Sequence, residues 1–121
     1  MVLLGIKTGD TELNIQKLSQ KILDLRIFDD DKGVMNLSVR DIGGELLIIS
    51  QFTLCADNNK SGNRPSYILA EIPEKSKPMY EKFLSCIREQ YNASKVKGGI
   101  FGADMKVKLT NDGPVTIILE R

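Results

Sequence analysis

The stretch 45–54, "ELLIISQFTL", constrains the fold more than any other part of the chain. Leu46 to Ile49 are apolar without alternation, the pattern of a strand covered on both faces. Such a strand belongs at the centre of a layered structure. The 121 residues, 41% of them apolar, suffice to build one around a real core. The second half of the stretch breaks the pattern with Ser50, Gln51 and Thr53. Polar groups at the end of a central strand are costly to bury unless they are satisfied. Two readings stay open: the groups bond to neighbouring backbone, or they form a site at the strand's end.

The remaining segments supply the layers. "VLLGI" (2–6) reads as a short buried strand. Ile15, Leu18, Ile22 and Leu25 recur at helical spacing, with Asp10 or Thr11 as N-cap. "FDDDKG" is a polar turn, "MNLSV" a short strand, and "DIGG" a second turn. Tyr80, Phe83, Leu84, Ile87 and Tyr91 form the stripe of a second helix over about 78–91, with Pro78 in its first turn. Two alternating runs close the chain: Met105, Val107 and Leu109 on one face of the first, and Val115, Ile117 and Leu119 on one face of the second. With no repeats, low-complexity tracts or linkers, residues 1–121 read as a single α/β domain. Its expected architecture is a layered, mixed and largely antiparallel sheet with two main helices. The glycines of "GGIFGAD" fit no nucleotide-loop spacing and mark bends or close backbone approach.

Composition narrows the chemistry. The chain has no histidine, which excludes Ser-His-Asp and Cys-His catalysis and histidine-based metal sites. Cys55 and Cys86, 31 positions apart, have no metal-type spacing and read as free thiols. Charges nearly cancel, 17 basic against 16 acidic, so bulk electrostatics neither demand nor forbid a nucleic-acid partner. No apolar run approaches a bilayer-spanning length, and "MVLLGIKTGD" lacks a basic n-region and a small-residue cleavage site, so the expected location is the cytoplasm. An enzyme of this composition must work by positioning and backbone hydrogen bonds, or borrow a group from its substrate.

Between the two terminal runs lies Asn111-Asp112-Gly113-Pro114. Asp-Gly makes a tight turn by itself, whereas the added proline removes a donor where a returning strand would start its ladder. Taken with "SQFTL" at 50–54, "NDGPVT" at 111–116 resembles the two signature motifs of the D-aminoacyl-tRNA deacylases. "KILDLRIF", "GGELLIISQFTL", "GNRPSY" and "FGADMKV" match the same family in order, so the likeness spans essentially the whole chain. The family's usual N-terminal hairpin, with an arginine that helps lock the Gly-Pro loop, has no counterpart ahead of "VLLGI". Its absence is expected to leave a sheet edge uncovered.

The resemblance implies a homodimeric, cofactor-free and metal-free hydrolase. Its substrate would be the ester joining a D-amino acid, or glycine, to the 3'-terminal ribose of tRNA. It implies a cis Gly113–Pro114 bond in a loop that reaches into the partner subunit's site around Ser50, Gln51, Phe52 and Thr53. Backbone N–H groups at Phe52 and Thr53 would hold an oxyanion, Gln51 would orient substrate or water, and the tRNA's vicinal hydroxyl would assist attack. Thr53 reads as a positioning hydroxyl rather than a nucleophile, because no base stands ready to activate it. Asn111, Gly113, Pro114 and Thr116 would form the substrate loop, Phe101 and Met105 the pocket wall, and Lys60 and Arg64 contacts to the tRNA end. Two alternatives stand beside this reading: a non-catalytic tRNA- or partner-binding module on the same fold, and a generic small esterase. The missing histidine and the lack of a nucleophile elbow argue against the esterase.

Overall fold

A computed structural model describes residues 1–57, 59 and 62–121. In chain order it forms β1 (Val2–Leu4), α1 (Glu12–Asp24), β2 (Phe28–Asp29), β3 (Met35–Leu37), β4 (Leu46–Ser50), α2 (Pro73–Gln90) and β5 (Val96–Gly98). A 3-10 turn, Phe52–Cys55, follows β4, and another, Ala93–Lys95, leads into β5. The mixed α/β architecture with two main helices is the expected one.

Strand direction is not. The main sheet, ordered β1-β4-β5, is parallel throughout, with Val2 opposite Ile48 and Leu46 opposite Val96. Among the described residues, antiparallel ladder pairing is confined to β2 and β3, with two isolated antiparallel bridges besides. The cause is connectivity: α1 lies between β1 and β4 in sequence, and α2 between β4 and β5. A crossover through a helix returns the chain in the same direction.

Both helices cover one face of this sheet. Ile15 and Leu23 of α1 and Tyr80, Phe83, Leu84 and Ile87 of α2 join Leu4, Leu46, Ile48 and Val96 in one buried cluster. The cap of α1 is Thr11, whose N–H donates to Asn14 Oδ1 at 2.9 Å. Helix α2 begins earlier than its apolar stripe indicated, with Pro73 at its start and Pro78 inside it. The first turn lacks apolar residues facing the core, so periodicity missed it. Its Ser76 is buried and donates to the Ile72 carbonyl at 3.0 Å.

The opposite face is only partly covered. Ile49 is buried, whereas Leu3 and Leu47 remain exposed, so β4 is not sealed on both sides within one chain. The alternating runs 105–109 and 115–119 form no strand among the described residues. Val107, Leu109, Val115, Ile117 and Ile118 are exposed, the last at 87%. Alternation states which side chains share a face; a strand also needs a partner, and this segment pairs with none among the described residues.

Candidate active site

The polar break of "SQFTL" is where β4 stops. Leu4 pairs with Ser50, and the Gln51 N–H donates to the Leu4 carbonyl at 2.8 Å, the last bond along that edge. The strand expected to run to Leu54 instead turns at Gln51 into the 3-10 turn Phe52–Cys55. Local groups hold the turn. The Gln51 side-chain amide donates to Thr53 Oγ1 at 2.6 Å, Leu54 N–H donates to the Gln51 carbonyl at 3.2 Å, and Ala56 N–H to the Thr53 carbonyl at 3.2 Å. The N–H groups of Phe52 and Thr53 open the turn, where no preceding carbonyl of the turn can reach them. Neither serves as a donor in the hydrogen bonds of the described residues. The Gln51 and Thr53 side chains therefore bond to each other rather than to neighbouring backbone, beside two N–H groups that make no hydrogen bond among the described residues.

Gly5 makes this turn possible, a role that composition and periodicity did not reveal. A Cβ there would stand 2.9 Å from Cys55 Sγ and 3.2 Å from the Gln51 carbonyl oxygen, so the turn lies directly on the end of β1. The glycine closing "VLLGI" was the available signal. Cys55 is buried at that contact, and burial pushes its thiol above the ordinary value, which keeps it protonated and inert. Phe52 points outward, 57% exposed, and its ring meets Tyr67 edge-on at 4.9 Å.

A second segment borders the end of β4. Gly99 N–H donates to the Ile48 carbonyl at 2.9 Å, continuing the β5 pairing. A Cβ on Gly99 would lie 2.7 Å from Met105 Sδ and 2.9 Å from Ile49 Cδ1, so Met105 folds back over this glycine onto β4. Phe101 is half-buried, its ring 5.8 Å from that of Tyr80. Arg64 is exposed on a loop closed by the Asp57–Ser66 bridge. Lys60 lies outside the described residues.

Residues Asn111, Gly113, Pro114 and Thr116 are all exposed, the Gly113–Pro114 peptide is cis, and Gly113 has φ of +108°. No hydrogen bond or strand pairing among the described residues joins this loop to residues 50–53. One chain thus gathers Ser50, Gln51, Phe52 and Thr53, with Met105 reached through Gly99 and Ile49, and bonds the Gly-Pro loop to none of residues 50–53.

A family model described as D-Tyr-tRNA(Tyr) deacylase matches residues 1–120. The chain belongs to that family. As a member of it, the chain is a hydrolase. Proteins named D-aminoacyl-tRNA deacylase from Cytophaga hutchinsonii and Thermosipho melanesiensis are 55% and 56% identical to this deacylase-family chain over 120 residues, 99% of its length and 79% of theirs. Among solved structures, "c-Myc DNA Unwinding Element Binding Protein" superposes with a TM-score of 0.91 at 42% identity, covering 98% of this chain and 79% of that one. A probable eukaryotic D-amino acid tRNA deacylase superposes at 0.65 with 14% identity, over 84% of this chain and 72% of that one, a likeness of fold alone. No helix among the described residues is long and apolar enough to cross a membrane.

Proposed function

We propose that this protein hydrolyses the ester of D-aminoacyl-tRNA, and of glycine mischarged on a non-cognate tRNA, releasing free amino acid and tRNA in the cytoplasm. The observation that carries the reading is the pair of backbone N–H groups at Phe52 and Thr53, which make no hydrogen bond among the described residues, beside the Gln51–Thr53 hydrogen bond. An activated ester needs an oriented water and donors for the developing oxyanion, not a protein nucleophile. Water adds to the ester carbonyl, assisted by the vicinal ribose hydroxyl, while the two N–H groups receive the negative oxygen. Collapse restores the carbonyl and expels the ribose oxygen, which takes up the proton. Ser50 and Gln51 line and orient, and Thr53 holds Gln51 in place.

The complete site is proposed to be dimeric, with residues Asn111, Gly113, Pro114 and Thr116 reaching into the partner's pocket. Exposure of this loop, which makes no hydrogen bond to residues 50–53 of its own chain, supports that arrangement. Carbonyls of Gly113 and Pro114 accept bonds from the substrate's α-amino group and fix the α-carbon. An L side chain then meets the loop backbone, whereas a D side chain points outward and glycine presents nothing to exclude. Phe101 and Met105 wall the pocket, and Lys60 and Arg64 meet tRNA phosphates.

The test is ester loss from matched D- and L-aminoacyl-tRNA. Rapid loss from the D form alone is expected; equal rates, or none above background, sink the proposal. The name of the 42%-identical neighbour favours a second reading, a nucleic-acid-binding module. Retention of tRNA without any ester loss would select it.

A further inference from the structure

Two tyrosine hydroxyls, one on α2 and one at its C-cap, are each set between a pair of backbone carbonyls. Tyr91 Oη donates to the Gly44 carbonyl at 2.8 Å and lies 3.3 Å from that of Val39, ahead of β4. Tyr80 Oη lies 2.9 Å from the Ile48 carbonyl and 3.0 Å from that of Gly99, at the end of the sheet that carries the candidate site. The Tyr80 side chain is buried to 2% exposure, with its ring against Phe101.

We propose that Tyr80 is a positioning residue for the pocket, its hydroxyl fixing the segment 99–105 against the end of β4 so that Phe101 and Met105 form a wall of constant shape. The Ile48 carbonyl lies two residues before Ser50, and the Gly99 carbonyl two before Phe101. One phenol proton shared between them ties both borders of the pocket to a single atom on α2. Gly99 completes the device, because Met105 Sδ occupies the space its side chain would fill. Burial holds the Tyr80 phenol above its ordinary value, so the donor is present throughout the neutral range. The oxyanion donors at 52–53 hang on Leu4 and Gly5 instead. Tyr80 therefore governs how substrate fits, not the chemical step. The proposal rests on the deacylase reading for its substrate but not for its geometry.

Tyr80→Phe keeps the buried ring and removes only the hydroxyl, and Tyr91→Phe does the same away from the site. In Tyr80→Phe, amide exchange of Gly99 is expected to rise about tenfold relative to α1 amides, the loss of one modest hydrogen bond. KM for D-aminoacyl-tRNA should rise about tenfold with kcat within about threefold, since fit is lost and the chemistry is retained. A merely structural defect lowers the active fraction, and so kcat, without moving KM. Tyr91→Phe should leave KM unchanged. Gly99→Ala, which pushes Met105 off its seat, should reproduce the KM effect with the hydroxyl intact. Unchanged exchange at Gly99 overturns the proposal, as does an equal KM effect in Tyr91→Phe or a fall in kcat alone. If the wild type removes no D-aminoacyl ester, the deacylase reading falls, and the exchange arm still decides whether Tyr80 holds the segment.

Discussion

Thr53 separates two chemistries that share one side chain. Its Oγ1 accepts from the Gln51 amide at 2.6 Å, and the chain has no histidine to take a proton from it. Thr53→Val keeps the shape and deletes the hydroxyl, and single-turnover deacylation is expected to fall by no more than about tenfold, the size of one lost hydrogen bond. A true nucleophile would cost roughly four orders of magnitude or more. Gln51→Ala should be the more damaging change, about a hundredfold in kcat/KM, because a misplaced water or ester loses its alignment. Gln51 is half-buried with one local partner, so the unfolding free energy of that variant in urea should fall by less than about 1 kcal/mol. The break at Gln51 and Thr53 was legible in the sequence because polar groups at the end of an apolar run demand a reason, and β4 does stop there. Gly5 and Tyr80 were not, because their roles exist only where separate segments meet: Gly5 under Cys55, Tyr80 between Ile48 and Gly99.

At the scale of elements, α2 shows what periodicity delivers. The stripe Tyr80, Phe83, Leu84, Ile87 is the buried face, as its spacing required. Ile87, at 0% exposure within that face, should cost about 2–5 kcal/mol when changed to Ala, measured by urea unfolding. A smaller loss would mean the helix repacks around the cavity. Strand direction was illegible because β1 and β4 look the same in either direction and β5, Val96-Lys97-Gly98, carries no strand pattern; the crossovers through α1 and α2 make the three parallel. The turn before β4 adds a pH dependence. Asp41 accepts from the Ser38 hydroxyl at 2.7 Å and the Ser38 N–H at 2.8 Å, and with Arg26 nearby these hold its carboxyl below the ordinary value. A depressed folded-state value means that the unfolded chain protonates first as pH falls. The contribution of Asp41 is thus complete above about pH 4 and lost as pH drops through the folded value. Asp41→Asn should be less stable than wild type at pH 7, with the difference shrinking near pH 3. A difference that does not change with pH would remove Asp41 from the acid response.

Across the whole molecule, the balance of apolar surface is uneven. The face of the sheet under the helices is closed by the core cluster, while Leu3 and Leu47 on the other face and Val107, Leu109, Val115, Ile117 and Ile118 along the C-terminal segment are exposed. Polar lysines alternate with the apolar positions of 105–109, the arrangement of a strand with one face meant for burial. That same segment carries the Gly113–Pro114 loop, which makes no hydrogen bond to residues 50–53 of its own chain. Pairing two copies through this surface would cover the apolar positions, and it is the arrangement that the proposed cross-subunit loop requires. Ile118 is the position that tests it, since at 87% exposure it contributes almost nothing to the folding of one chain. Burying it in a dimer is worth about 1.5–3 kcal/mol, roughly a ten- to hundredfold change in the dissociation constant. Sedimentation of the wild type should give a dimer, and Ile118→Asp should weaken it by at least that factor with an unchanged circular dichroism spectrum. Deacylation by the variant should then fall at low protein concentration and recover as concentration is raised, the outcome expected of a pocket that takes its loop from a second chain. A variant that stays dimeric, or a monomer that loses no activity on dilution, would separate the loop from its proposed place in the partner's site.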